Sequence, residues 1–233
     1  LRAASISPAR VLDQYEKNRF VRPSPSKPGL LLEFDRLAFS LASNFEPVAI
    51  GPVCPLGAVS AIATVAQNNI VSTSRNTEVV SDSTNVLALE SAMRRRFSTE
   101  TVRLCASHRV LRSQLFNGPH SFAHFRLFGL TSAGRDIGSY GFELAELAEH
   151  VRFHLRLLAA WREAGHSVSN PRAAITCFDE SRTSAVAQVM EVLRGEFPGP
   201  GVNGLFRTEH DHGQRRDEDG GQGFIPENER AAQ

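Results

Sequence analysis

The sequence predicts an α+β protein built as an antiparallel β-sheet flanked by helices. Two long extended segments, Val102–Arg112 and Ser121–Ser132, follow one another across a loop carrying Asn117-Gly118-Pro119-His120, the arrangement of two strands that turn back on each other. Helical periodicity appears before, between and after the extended pieces, with apolar residues recurring every three or four positions. At 233 residues, 41% hydrophobic and 22% charged, the chain can bury one good-sized core with a small appendage.

The elements follow in order. Residues 1–27 are polar and carry Pro8, Pro23 and Pro25, predicting a short helix at Arg10–Lys17 and then a linker. Leu30, Phe34, Leu37 and Leu41 recur at helical spacing, so Gly29–Ser43 reads as a helix packed on one face, with Asn44 as its stop. Phe45–Ile50 reads as a strand leading into turn chemistry at Gly51-Pro52 and Pro55-Leu56-Gly57. Val59–Val65 and Ile70–Arg75 read as a hairpin around Ala66-Gln67-Asn68-Asn69, and Glu78–Ser81 as a further extended piece. Asp82 or Ser83 then caps a helix to Arg96 with Val86, Leu89 and Met93 facing inward. After the two long strands, a helix over Phe142–Glu163 turns Leu144, Leu147, Val151, Leu155 and Leu158 to the core and ends at Gly165. Arg172–Phe178 reads as a strand. Asp179-Glu180-Ser181 caps a last helix, Arg182–Arg194, with Val186, Val189, Met190 and Leu193 inward. From Thr208 to Gln233 the chain is rich in Gly, Gln, Arg and acids, the composition of a disordered tail.

Charge gives no global argument for nucleic acid, since the formal net charge is +1. Its distribution is uneven: eight arginines (94, 95, 96, 103, 109, 112, 126 and 135) face one acid, Glu100, in that stretch, and Lys17 and Lys27 are the only lysines. Either genomic base composition favours arginine, or guanidinium forks are wanted for phosphate or carboxylate groups. Cys54, Cys105 and Cys177 are widely spaced and odd in number, which fits reduced thiols in a cytoplasm. No apolar run reaches the length of a membrane span, and Leu1–Arg10 lacks the apolar core of a secretory signal. The expected location is therefore cytoplasmic, with no membrane contact.

Three segments carry a resemblance. The helix 29–43 runs into Phe45-Glu46-Pro47-Val48 and Gly51-Pro52. Val80-Ser81-Asp82-Ser83-Thr84 opens a helix. Arg109-Val110-Leu111-Arg112, a loop, and His124-Phe125-Arg126-Leu127-Phe128-Gly129-Leu130 with Ala133-Gly134 form the third. In this order, residues 28–165 resemble the catalytic core of a class II aminoacyl-tRNA synthetase of the histidyl type, including the histidyl-synthetase-like regulatory subunit of ATP phosphoribosyltransferase. The resemblance implies the antiparallel class II core, a homodimer through the helix at 29–43, and ATP as cofactor. It places Arg112 on the arginine that grips the α-phosphate, with Gln114 and Arg126 beside it as cofactor-binding positions. A guanidinium at the end of a rigid strand can neutralise charge developing on that phosphate. It places Asp82, Thr84, Leu127 and Thr131 in the amino-acid pocket, although Asp82 and Thr84 read equally as helix caps.

The sequence departs from the family at named positions. Gln114 stands where the family has an acid, His124 replaces the glutamate of the return strand, and Leu127 and Thr131 replace the glutamine and second glutamate that hold an ammonium group. Leu127 offers no hydrogen-bond acceptor. No glycine-rich strand and helix with a second ATP arginine follows; Arg207 lies near, in unrelated surroundings.

Other constellations weigh less. His150 and His154 stand four apart on one predicted helix without a third ligand, and His210-Asp211-His212 lies in the tail. Cys54 would be a nucleophile only with a histidine packed on it. Arg94-Arg95-Arg96 closes a helix, where cations meet the negative end of the dipole, or else contacts RNA or a partner's acids. No zinc-protease, phosphate-loop or dinucleotide signature is present, and no metal is expected.

The expected organisation is an N-terminal arm and linker over 1–27, a synthetase-like domain over 28–207 and a polar tail over 208–233. Three functions compete. The first is a synthetase paralogue that binds an amino acid or nucleotide and serves as a binding or regulatory subunit, with a protein partner. The second is an active ATP-dependent amino-acid-activating ligase. The third is an arginine-rich module docking nucleic acid or protein, whose binding would weaken steeply with salt.

Overall fold

A short amphipathic helix, α1 (Pro8–Lys17), begins the computed structural model, which describes residues 6–63, 70–114, 122–169, 171, 173, 175, 177 and 180–197. Ser7 caps it by accepting the Arg10 N–H at 3.4 Å, and Pro8 fills the first turn, where its missing donor costs nothing. Then follow α2 (Pro28–Leu41), β1 (Glu46–Pro47), β2 (Val53–Pro55), α3 (Ala58–Ile62), β3 (Ser72–Thr73), β4 (Thr77–Val79), α4 (Ser83–Arg94), β5 (Val102–Leu111), β6 (His124–Ala133), α5 (Gly141–Glu163), a 3-10 turn (Glu180–Arg182) and α6 (Thr183–Glu196). The protein is α+β, with one three-stranded sheet ordered β1-β5-β6 and a second ordered β2-β4-β3.

The chain divides into two units, and the division cuts through α2, β1, α4, β5 and β6. The first draws on Leu1–Glu33, Pro47–Met93 and Leu104–Thr131. Here β2 and β3 both run antiparallel to β4, pairing Cys54 with Glu78 and Thr73 with Thr77. Arg75 and Asn76 lie at φ 62° and 55° in the three-residue connection Ser74–Asn76 between β3 and β4, the left-handed backbone a tight hairpin loop uses. The Leu111 N–H bonds the Val80 carbonyl at 3.0 Å and the Val48 N–H bonds the Cys105 carbonyl at 2.9 Å. Cys54, Ala58, Val80 and Val110 form the apolar cluster beneath, with Ile50, Val86, Phe125 and Leu127 packed on it.

The second unit draws on Phe34–Glu46, Arg94–Arg103 and Ser132–Gln233. Trp161 of α5 is almost fully buried, with Phe34 edge-on at 5.8 Å and His166 stacked at 3.8 Å. Met190 and Leu193 of α6 are packed by Val151 and Leu155 of α5. Arg152 joins the same two helices through Glu149 at 3.3 Å and Glu196 at 2.6 Å. Arg103 grips Glu146 with two hydrogen bonds, at 2.8 and 2.5 Å.

Several expectations are corrected. Residues 58–62 are helical, where a strand over Val59–Val65 was predicted. The fully buried Glu78 carboxylate accepts the N–H groups of Gly57 at 2.8 Å and Val59 at 3.0 Å, and this tertiary cap outweighs the β-branched composition of the segment. The hairpin turn sits at Arg75–Asn76; the predicted turn at 66–69 lies outside the described residues. Phe45–Ile50 shortens to the two residues of β1. Leu89 and Met93 of α4 are exposed, whereas Ser83, Asn85, Leu87 and Ser91 are buried. Helix α5 buries Glu146, Ala148, Phe153, Leu157 and Trp161, one step round from the predicted stripe, of which Val151 and Leu155 meet α6. The loop 117–120, alternate residues of the predicted strand 172–178, and the tail 208–233 lie outside the described residues.

Among the described residues no helix is long and apolar enough to cross a membrane. Burial pushes the Cys54 and Cys105 thiols up to about 11, the Glu78 carboxylate adding to the effect at Cys54. Neither is poised as a nucleophile.

Candidate functional site

The site is assembled where the end of β5 meets the start of α4, within the first unit. Helix α4 begins on an aspartate turn: Asp82 Oδ1 accepts the Thr84 N–H at 2.9 Å and the Thr84 hydroxyl at 2.7 Å. The cap uses one carboxylate oxygen and leaves the other facing the sheet. Arg112 follows β5 directly, and its N–H bonds the Ala123 carbonyl at 2.8 Å, which fixes the backbone from which the side chain rises. The Arg112 guanidinium donates to the Ser81 carbonyl at 3.3 Å and to Asp82 Oδ2 at 3.4 Å. Its carbon lies 5.1 Å from the centre of the Phe125 ring, within cation–π range.

Arg112 and Asp82 are each about one-third exposed, at 39% and 33%. At 3.4 Å, with water close by, such a pair contributes no more than about 1 kcal/mol. Arg112 is therefore oriented by three neighbours and held strongly by none. A phosphate or carboxylate offering two shorter, charge-assisted bonds would displace the Asp82 contact without a large cost.

Of the predicted pocket residues, Asp82, Thr84 and Arg112 come together. Leu127 lies in the adjoining apolar cluster with Val80 and Val110. Thr131 stands further along β6, its hydroxyl 3.5 Å from that of Ser91. Gln114 is half-buried, and its Oε1 meets no hydrogen-bond partner among the described residues. Arg126 alternates away from Phe125 and Leu127 along β6. Burial, with the Arg126 charge second, holds the His108 imidazole below its ordinary pKa.

Two glycines that carry the resemblance have local reasons. A Cβ at Gly129 would come 2.6 Å from the buried Ser83 hydroxyl and 3.3 Å from Thr84 Cγ2. A Cβ at Gly134 would collide with the Phe142 ring. Gly129 thus lets α4 lie close on β6, and α4 carries Asp82 and Thr84 with it. Sequence reasoning missed the Phe125 shelf and the Ser81 carbonyl; an aromatic residue at the start of the return strand opposite Arg112 was the available signal.

Several side chains of the arginine-rich stretch are engaged within the chain, while Arg96, Arg109 and Arg135 are exposed. Arg94 pairs with Glu46 at 2.7 Å, Arg95 donates to the carbonyls of Thr99 and Glu100, and Arg103 holds Glu146. Arg109 meets His124. His150 bonds the Ser132 hydroxyl at 2.9 Å, and among the described residues no group of three or more His, Cys, Asp or Glu could hold a metal ion.

No protein-family model matches the chain, and no curated protein sequence matches it. Among solved structures, a pyrrolysyl-tRNA synthetase from Desulfitobacterium hafniense is similar at 16% identity over 65% of this chain and 52% of that one, with a TM-score of 0.45. An ATP phosphoribosyltransferase regulatory subunit/histidyl-tRNA synthetase from Bacillus halodurans C is similar at 15% identity over 63% of this chain and 40% of that one, with a TM-score of 0.46. The chain thus spans about half or less of the length of the structures it resembles.

Proposed function

We propose that the chain is a class II aminoacyl-tRNA synthetase paralogue that binds a small ligand, an amino acid or a nucleotide, and acts as a binding or regulatory subunit. The observation that carries this reading is the loosely held Arg112 guanidinium, set between the Phe125 ring and the Asp82 carboxylate. A rigid strand end, an aromatic shelf and a weak intramolecular anion make an anion-receiving site. Asp82 contributes the carboxylate that a ligand ammonium would meet once Arg112 turns to phosphate. The positions that would complete ammonium recognition are occupied otherwise: Leu127 packs on the apolar cluster and Thr131 faces Ser91. This favours binding over amino-acid activation. The engagement of Arg94, Arg103 and Arg109 with partners in the chain also counts against the docking-module reading.

Equilibrium binding of ATP and of the amino acids, paired with amino-acid-dependent pyrophosphate exchange, tests the proposal. Saturable binding that weakens about tenfold or more in Arg112→Ala, without exchange, is expected. Robust exchange lost in Arg112→Ala would establish the ligase instead. Binding indifferent to Arg112 would remove both.

A further inference from the structure

A second basic site lies in the first unit, where the arm after α1 crosses the start of β6. His124 pins the arm: its Nε2 is 2.7 Å from the Arg22 carbonyl, and its Nδ1 is 2.9 Å from an Arg109 guanidinium nitrogen. A carbonyl can only accept and a guanidinium can only donate, so Nε2 donates to the Arg22 carbonyl and Nδ1 accepts from Arg109. Nε2 thus ties the arm at Arg22 to β6, while Nδ1 is engaged by Arg109 of β5.

Under that crossing is a cavity of about 510 Å³ whose lining includes Arg19, Arg22, Pro23, Pro25, Phe122 and His124. Its size falls in the roughly 300–1,000 Å³ range of small-molecule sites. Its walls are apolar at the prolines and Phe122, and among the described residues no aspartate or glutamate lines it. Arg22 rests over the Tyr15 ring at 5.5 Å and reaches the Glu16 carbonyl at 3.5 Å, so the positive charge it brings is met there by a ring face and a carbonyl.

We propose that this cavity binds a small aromatic anion, an aryl phosphate or aryl carboxylate, with the anionic group on Arg22 and the ring against Pro23, Pro25 and Phe122. Apolar walls with arginines in the lining, Arg19 and Arg22, favour a flat hydrophobic body with an anionic end. His124 acts as a positioning residue, keeping the arm where the walls meet. The proposal does not depend on Arg112 and survives if the synthetase-like reading fails.

Calorimetric titration of the full chain with phenyl phosphate, benzoate and inorganic phosphate tests it, using the wild type, Arg22→Gln, Arg22→Lys, His124→Ala and Arg112→Ala. Phenyl phosphate is expected to bind more tightly than inorganic phosphate. Its affinity should fall about tenfold or more in Arg22→Gln, recover in part in Arg22→Lys, and stay unchanged in Arg112→Ala. Comparison of phenyl phosphate with benzoate separates the phosphate from the carboxylate source. Arg22 is exposed, so its variants keep the fold and decide the matter even if His124→Ala unfolds. Equal affinity in wild type and Arg22→Gln would overturn the proposal, as would binding lost in Arg112→Ala alone or no binding of either aryl anion.

Discussion

Replacing Gly129 by alanine should move α4 away from β6 and loosen the candidate site with it. The added Cβ would stand 2.6 Å from Ser83 Oγ, 3.3 Å from Thr84 Cγ2 and 3.5 Å from Leu87 Cδ1. Ser83 is fully buried and sits at the first turn of α4, so the helix must shift rather than one side chain swing aside. Overpacking of this kind costs about 1–3 kcal/mol, and the backbone advantage of alanine over glycine returns roughly 0.5 kcal/mol. The net expectation is a loss of about 0.5–2.5 kcal/mol. With a urea m-value of about 2 kcal/mol/M, that lowers the unfolding midpoint by roughly 0.25–1.25 M. Ser83→Ala supplies the internal control. It removes the nearest atom, a hydroxyl that meets no hydrogen-bond partner among the described residues, and should itself be close to neutral. In the double variant about half of the Gly129→Ala loss should return, because the 3.3 Å approach to Thr84 remains. Strict additivity of the two changes, or an unchanged midpoint in Gly129→Ala, would show that α4 does not lie on β6 through these atoms.

Two further outcomes follow from buried carboxylates. Glu78→Ala strips the acceptor from the Gly57 and Val59 N–H groups at the start of α3 and should cost about 2–4 kcal/mol in urea unfolding. Glu78→Gln, which keeps one acceptor oxygen, should cost less, and an alanine variant as stable as the glutamine variant would refute the cap. In the second unit, the Arg103 hydrogen bonds hold the Glu146 carboxyl below the usual carboxylate range, against the opposing effect of burial. A depressed folded-state pKa contributes stability above the unfolded value, and that stability is lost as pH falls through the folded one. Thermal unfolding of the wild type should therefore fall below about pH 4.5 more steeply than that of Glu146→Gln. Parallel curves would dismiss the linkage.

The long elements were legible because their periodicity reflects their packing. Strands β5 and β6, helix α5 and helix α6 begin and end within a few residues of the boundaries read from the sequence, and Gly165 closes α5 at φ 92° as its position predicts. The errors share a physical origin in contacts between distant residues. A strand was read over Val59–Val65 because propensity is local, whereas the Glu78 carboxylate that caps α3 arrives from a neighbouring strand. The inner face of α4 was read from Leu89 and Met93 because hydrophobicity marks burial on average. This helix instead presents Ser83, Leu87 and Ser91 inward, where small side chains permit close approach to Gly129 and Thr131. The pairing of Asp82 with Arg112 was reached through the resemblance alone, since thirty residues separate them and no spacing rule connects them. Nothing local in the sequence links Arg22 to His124, 102 positions apart.

The alternation of the β5–β6 ribbon separates the two candidate sites. Arg112 stands three residues after Arg109, and Phe125 one after His124, so successive side chains fall on opposite faces. Arg109 and His124 meet on one face, where the arm is pinned. Arg112 and Phe125 meet on the other, beside Asp82 and the start of α4. Two anion-receiving positions a few residues apart would ordinarily be confounded in mutagenesis, because a change at one perturbs the other. Here each rests on its own residue pair and its own packing partner, the arm in one case and α4 in the other. The Arg22 and Arg112 substitutions should therefore act independently on ligand binding. Loss of both activities from either single change would mean that the ribbon moves as one body and that neither site exists apart from it.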